Sequence, residues 1–271
     1  MRTLVHISDL HFGRIRPEIL DPLLGFIREI QPTLVAVSGD LTQRARTHEF
    51  VAAREFLQKI PYPQIVVPGN HDVPLHNPIA RFVRKLDRYR QYISDDLQPF
   101  FADEEIAVVG VNTARAFTWK DGRINRRQLA ALRASFEPLD GARIKIVVTH
   151  HPFDLPAGAE GKVVGRSRLA IKTIADCKVD LLLAGHFHIA HTGHTTKRYQ
   201  VPGYSGLIVS SGTSTSTRHR GQPNSLNVIR IDQPDVTIER QVWHPEKGAF
   251  VVHSSEHFQQ ANDEWFRRDE P

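Results

Sequence analysis

Six short aliphatic runs constrain this chain more than any other feature: TLVHIS at 3–8, TLVAVS at 33–38, QIVVP at 64–68, IAVVGV at 106–111, IKIVVT at 144–149 and DLLLA at 180–184. Each is five or six residues long, nearly continuous in apolar character and followed by polar or glycine-containing sequence, which predicts strands buried on both faces. Helical stripes lie between them. Pro17 to Ile30 sets Ile19, Leu20, Leu23, Leu24, Ile27 and Ile30 on one face, Thr47 to Ile60 does the same with Phe50, Val51, Phe56, Leu57 and Ile60, and 126–136 and 167–177 predict two more helices. The alternation predicts an α/β fold for the first two-thirds. From His191 onward GLIVSSG, SLNVIRI and VTIERQVW read as successive strands between turns, so a second, more antiparallel sheet is expected to pack on the first. The predicted fold class is therefore an α/β, two-sheet αββα sandwich. One domain is expected over 1–252, with 73–100 as an insertion that could cap a site or pack on the core. The polar stretch 253–271 reads as a loose tail or a lid.

Function begins where those strands end. The first is followed by Asp9-Leu10-His11, the second by Gly39-Asp40, the third by Gly69-Asn70-His71-Asp72, the fifth by His150-His151 and the sixth by Gly185-His186-Phe187-His188. Carboxyl ends of neighbouring strands in an open α/β sheet line one crevice, so groups far apart in sequence would converge there. Singly each cluster is an ordinary turn. Together, carboxylates, imidazoles and an amide at five strand ends predict a metal site. Mixed N and O donors suit Mn, Fe, Zn or Co better than Ca or Mg.

The series DLH, GD, GNHD, H and GHFH resembles the calcineurin-like metallophosphoesterases, over Asp9 to His188, and less specifically the bacterial class III cyclic nucleotide phosphodiesterases among them. The resemblance implies a two-sheet sandwich holding two divalent or mixed-valence transition metal ions. It assigns Asp9, His11, Asp40 and His188 to one metal and Asp40, Asn70, His150 and His186 to the other, with Asp40 bridging. It also implies hydrolysis of phosphodiesters, of cyclic nucleotides or other small diesters, by attack of a hydroxide shared by the two metals. His71 falls at the family position near the leaving group, as a proton donor or charge stabiliser, and Asp72 is expected to orient that ring or a ligand. Arg44, Arg218 and Arg220 are candidates for gripping phosphate oxygens. His6 and His151 read as core or neighbouring histidines, and His191 and His194 carry no assigned role.

Other readings are weighed against the same residues. A nucleotide-sugar lipid pyrophosphatase of lipid A synthesis has a related motif set but carries Arg where this chain has His71. A DNA repair nuclease would want a long basic groove, whereas the formal charge of +5 is dispersed, so no stable nucleic-acid partner is expected. A protein phosphatase is a further alternative, and a non-catalytic binding scaffold would be expected to lack ligands that are all present here. Cys177 is the only cysteine, so no intramolecular disulfide forms, and no stretch reaches the roughly 20 apolar residues of a membrane helix. A soluble cytoplasmic protein acting on a small anionic phosphodiester is the expectation, with a homodimer left open.

Overall fold

The computed structural model describes residues 1–74, 86–115, 121–139, 143–156, 159–218, 221–262 and 264–268. One sheet contains β1 (Arg2–Ile7), β2 (Leu34–Ser38), β3 (Gln64–Val67), β10 (Ser225–Asp232), β11 (Asp235–His244), β12 (Ala249–Ala261) and β13 (Glu264–Arg268), in the spatial order β13-β12-β11-β10-β1-β2-β3. The other runs β4-β5-β6-β7-β9-β8, from β4 (Phe100–Ala102), β5 (Ile106–Gly110), β6 (Ile144–Val148), β7 (Leu181–Ala184), β8 (His191–His194) and β9 (Leu207–Ser210). Helices α1 (Leu20–Ile30), α2 (Thr47–Gln58) and a short α3 (Asp87–Tyr92) flank the first sheet, and α4 (Arg126–Phe136) and α5 (Ser167–Asp176) flank the second.

Three apolar layers result, which is why the strand sequences are apolar throughout rather than alternating. On β1, Leu4 points between the sheets with Leu34, Ile146 and Leu183, while Val5 and Ile7 point outward against Leu23, Ile27 and Phe50 of the helices. On the second sheet Ile106, Val108 and Ile146 face inward while Val109, Val147 and Leu182 meet Leu132, Phe136 and Ile171. A strand lying between a helix layer and another sheet has no solvent face to mark with polar residues.

The αββα architecture agrees with the sequence reading, but the division between sheets does not. The first two-thirds of the chain does not form one sheet and the last third another. β1, β2 and β3 pair in parallel, and β10 joins the free edge of β1 antiparallel, with Val5 opposite Val228, so the C-terminal strands extend the first sheet. β9, expected in the antiparallel set, pairs in parallel with β7. An apolar run states that a strand is buried without stating which neighbour completes it.

The tail or lid expected at 253–271 is also corrected over 253–261 and 264–268, the last three residues lying outside the described ones. β12 runs through that boundary and β13 pairs with it, and Phe258 and Trp265 enter the layer between the sheets. Trp265 Nε1 (3.2 Å) and Gln260 Nε2 (2.9 Å) both donate to Asp180 Oδ1. Of the 73–100 insertion, residues 75–85 lie outside the described residues; the part that follows packs on the core, with Tyr89 fully buried and its hydroxyl donating to Val66 O at 2.9 Å. Among the described residues no helix is long and apolar enough to cross a membrane.

Candidate metal centre

The loops after β1, β2, β3, β6 and β7 meet at one end of the sandwich. Ligating atoms of Asp9, His11 and His188, of Asp9, Asp40 and His150, and of His150, His151 and His186 lie within 4.8 Å of one another in each set. Parallel strands from two facing sheets deliver their carboxyl ends to the same rim, and the turns then bend inward. Ten described non-glycine residues have positive φ, and five of them are Asp9, His11, Asp40, His186 and His188. Left-handed backbone is disfavoured for side chains with a Cβ, and its concentration here shows that surrounding contacts hold these turns against their local preference.

For the loop after β1 those contacts come from a segment of small hydroxyl residues after β9. Thr213 Oγ1 donates to Asp9 O (2.7 Å), Thr215 Oγ1 to Leu10 O (2.8 Å) and Ser216 Oγ to Arg14 O (3.2 Å). Ser214 N donates to Ser8 O at 2.9 Å, and Ser8 N returns a bond to Ser214 Oγ at 3.1 Å. The Asp9 side chain is fixed from the other side. Its Oδ2 accepts from Ser8 Oγ (2.6 Å) and His186 N (3.0 Å), leaving Oδ1 buried without an aligned hydrogen bond. Gly185 permits this approach, since a Cβ there would overlap Ser8 Oγ and Asp9 Oδ2.

Hydrogen bonding also decides which ring nitrogens face inward. A carbonyl oxygen only accepts, so His188 Nδ1, 2.6 Å from Arg218 O, and His150 Nδ1, 2.8 Å from Ser38 O, each carry a hydrogen and leave Nε2 turned to the centre. In the first group His188 Nε2 stands 3.2 Å from Asp9 Oδ1 and from His11 Nε2, and His11 Nε2 stands 3.7 Å from Asp40 Oδ2. In the second, His150 Nε2 lies 3.4 Å from Asp40 Oδ1 and 3.1 Å from Asn70 Oδ1, and His186 Nδ1 lies 3.0 Å from Asn70 Oδ1. Ligands about 2.1 Å from one ion at 90° to 109° stand about 3.0 to 3.4 Å apart. The spacings of His188 to Asp9 and His11, and those among Asp40, Asn70, His150 and His186, therefore fit edges of coordination shells, while the 3.7 Å from His11 to the shared Asp40 is wider than such an edge.

Electrostatics points the same way. Burial opposes ionisation of Asp9 and Asp40, yet the imidazoles of His188 at Asp9 and His150 at Asp40 hold both below the usual carboxylate range. Burial drives His11 and His186 down to about 3, keeping them neutral and able to ligate. Burial likewise opposes charge on His150, but Asp40 pushes it up to about 9. Its Nε2 faces the acceptors Asp40 Oδ1 and Asn70 Oδ1, and a positive charge, proton or cation, is required between them.

All seven predicted ligands are thus together. The other predicted residues divide. His71 lies beside the first group, its ring edge-on to His11 with centroids 4.9 Å apart and its backbone N donating to Asp40 Oδ1 at 2.8 Å. Arg218 reaches His71 Nε2 with Nη1 at 2.8 Å. Arg44 is exposed on the loop before α2, with its backbone N bound to Glu49 Oε2 at 2.8 Å, and Arg220 lies outside the described residues. Asp72 does not orient the His71 ring. Its carboxylate accepts from Gly69 N (2.9 Å), Leu41 N (3.1 Å), Thr42 N (2.9 Å) and Thr42 Oγ1 (2.9 Å), fastening the loop after β2 to the loop after β3. Consecutive residues of the 3₁₀ turn Asn70–Asp72 point about 120° apart, so two neighbours cannot serve one ring. Burial pushes Asp72 up to about 7.

His6 bonds Ser38 Oγ at 2.8 Å inside the core. His151, whose ring lies 4.6 Å from that of His186, bonds Thr113 Oγ1 through Nδ1 at 2.7 Å. His191 and His194 sit half-buried on β8, outside both donor groups. Sequence reasoning missed Ser8 and the hydroxyl run SSGTSTST at 210–217; side chains that can bond a neighbouring backbone, packed so densely after a strand, were the available signal.

The family model for calcineurin-like phosphoesterases matches residues 2–190. Over 82 residues the chain is 38% identical to the glycerophosphodiester phosphodiesterase GpdQ of Enterobacter lignolyticus (strain SCF1), a match spanning 26% of this chain and only 29% of that relative. Purple acid phosphatase PPD1 from yellow lupin (Lupinus luteus) seeds shares the fold at TM-score 0.69 and 13% identity, over 94% of this chain and 53% of that one. GAP50, the anchor in the inner membrane complex of Plasmodium, superposes at TM-score 0.61 and 14% identity, over 94% and 87%.

Proposed function

Because the chain belongs to the calcineurin-like phosphoesterase family, we propose that it is a dinuclear-metal-dependent phosphodiesterase hydrolysing small diesters, cyclic nucleotides among them. The observation that carries the reading is the pair of donor groups sharing Asp40. Asp9, His11, Asp40 and His188 would hold one cation and Asp40, Asn70, His150 and His186 the other. Bound there, Mn, Fe, Zn or Co would supply a nucleophilic water at neutral pH and neutralise phosphoryl charge.

The residues of the chain account for the rest. Only Asp9 and Asp40 of the seven are anionic, so two divalent cations would leave the centre net positive toward a phosphodiester. Ser8 and the His186 backbone keep Asp9 presenting one oxygen. Asp72 holds the loops that carry Asp40 and Asn70 in register. Arg218 adds a fixed cation suited to a phosphate oxygen, and His71 lies against it. The partial likeness to a glycerophosphodiester phosphodiesterase favours a diester over a monoester. Metal-reconstituted protein assayed on cyclic nucleotides, linear diesters, monoesters and nucleotide-sugar lipids tests the reading. Metal-dependent turnover fastest on diesters is expected; hydrolysis of monoesters or lipid pyrophosphates alone, or no diester turnover with metals bound, would overturn it.

A further inference from the structure

The ring of His71 has a nitrogen on either side, and each faces a group whose role is fixed. Guanidinium nitrogens only donate, so Arg218 Nη1, 2.8 Å from His71 Nε2, requires a lone pair on that nitrogen. The other nitrogen, Nδ1, lies 2.7 Å from Gln43 O, which only accepts, and must therefore carry the hydrogen. In this arrangement the Nδ1 hydrogen is committed to the backbone and Nε2 serves as an acceptor.

Arg218 is equally constrained. Its backbone N donates to Ser216 Oγ at 3.0 Å, its carbonyl accepts from His188 Nδ1 at 2.6 Å, and the preceding Thr217 N donates to Arg14 O at 3.0 Å. One residue thus orients a ligand of the first donor group with its carbonyl and, with its guanidinium, reaches His71 beside that group. His71, next in sequence to Asn70 and bonded through its backbone to Asp40, supplies the surface on which that guanidinium rests.

We infer that His71 is a positioning residue that acts through Arg218: the imidazole accepts from the guanidinium and holds it beside the centre, and the guanidinium is the group that meets the phosphodiester. This rests on the phosphodiesterase reading and revises only the part His71 plays in it. A proton donor and a guanidinium post leave different traces. Loss of an acid slows esters with poor leaving groups selectively, whereas loss of a post weakens phosphate binding and matters only while Arg218 is present.

The test uses metal-loaded wild type, Arg218→Ala, His71→Ala, His71→Gln and the double variant Arg218→Ala/His71→Ala, each checked for unchanged metal content. Two readouts are taken: the dissociation constant of inorganic phosphate, and kcat/KM on an alkyl and an aryl diester. Arg218→Ala is expected to weaken phosphate binding about 10- to 100-fold, the range of a charge-assisted hydrogen bond. His71→Ala should approach the same loss and the double variant should be no worse than Arg218→Ala. His71→Gln keeps an acceptor without a transferable proton and should recover most of the loss, with the alkyl to aryl ratio unchanged in every His71 variant. Additive losses in the double variant, or selective slowing of the alkyl ester in both His71→Ala and His71→Gln, would overturn the inference. Absence of diester turnover in wild type would instead refute the phosphodiesterase reading, while phosphate affinity would still report on the pair.

Discussion

Replacing Ser8 with alanine removes one buried hydroxyl from behind the first donor group and leaves every proposed ligand in place. In the native protein Ser8 Oγ donates to Asp9 Oδ2 at 2.6 Å, the shorter of the two hydrogen bonds that keep Oδ1 aimed at His11 and His188. A hydrogen bond to a charged group contributes about 1.5 to 3 kcal/mol. Alanine leaves only the His186 backbone N–H on Oδ2, and the carboxylate can rotate until both oxygens compete for the cation. If the lost restraint falls on binding, affinity at that position drops about 10- to 100-fold, as for other groups that orient metal ligands. Competition with a chromophoric chelator for Mn²⁺ or Zn²⁺ measures it directly. One of two binding steps should weaken by that factor while the other stays within about threefold, because the side chains of Asn70, His150 and His186 bond one another and Ser38 O, not Ser8. Two unchanged steps would show that Ser8 does not fix Asp9, and an equal fall in both would show damage that is not local.

Three further substitutions test other parts of the structure. Gly185→Ala, whose Cβ would overlap Ser8 Oγ and Asp9 Oδ2, should cost about 1 to 3 kcal/mol in urea unfolding and empty the same metal position; wild-type metal content and midpoint would contradict the close approach. Trp265→Ala should destabilise by about 3 to 5 kcal/mol because the ring fills the layer between the sheets, and a loss below about 1 kcal/mol would make the C-terminal hairpin peripheral after all. Burial pushes Asp180 up to about 6, above its unfolded value, so the folded chain keeps this proton longer and stability falls as pH rises from about 4 to about 6, by up to about 3 kcal/mol. Asp180→Asn should flatten that part of the pH profile of urea midpoints, and an unchanged slope would assign the proton elsewhere.

The sequence disclosed the chemistry of this centre more fully than its mechanics. Asp9, His11, Asp40, Asn70, His150, His186 and His188 stand out because each follows an apolar strand, and strand ends in such a fold share a rim. The left-handed backbone at five of them was not legible, because nothing in an aspartate or histidine announces its φ; at Asp9 the hydroxyl that holds the turn belongs to Thr213, far along the chain. The helix expected over 126–136 has those bounds in the structure. The pairing of β10 with β1 escaped because strands buried on both faces carry no mark of their neighbour. Of the two roles expected for Asp72, orienting the His71 ring fails because adjacency along a 3₁₀ turn is divergence in space, and 253–271 read as a tail or lid because most side chains along β12 and β13 are polar while Phe258 and Trp265 anchor them.

The central claim is that one aspartate joins two cation positions, and spin coupling reports that directly. Protein reconstituted with Mn²⁺ should bind two ions per chain and give the electron paramagnetic resonance signature of an exchange-coupled pair, and Asp40→Asn should lose the coupling together with most of the bound metal. Two uncoupled ions in wild type, or an Asp40→Asn variant that keeps the coupled signal, would contradict a centre built around Asp40.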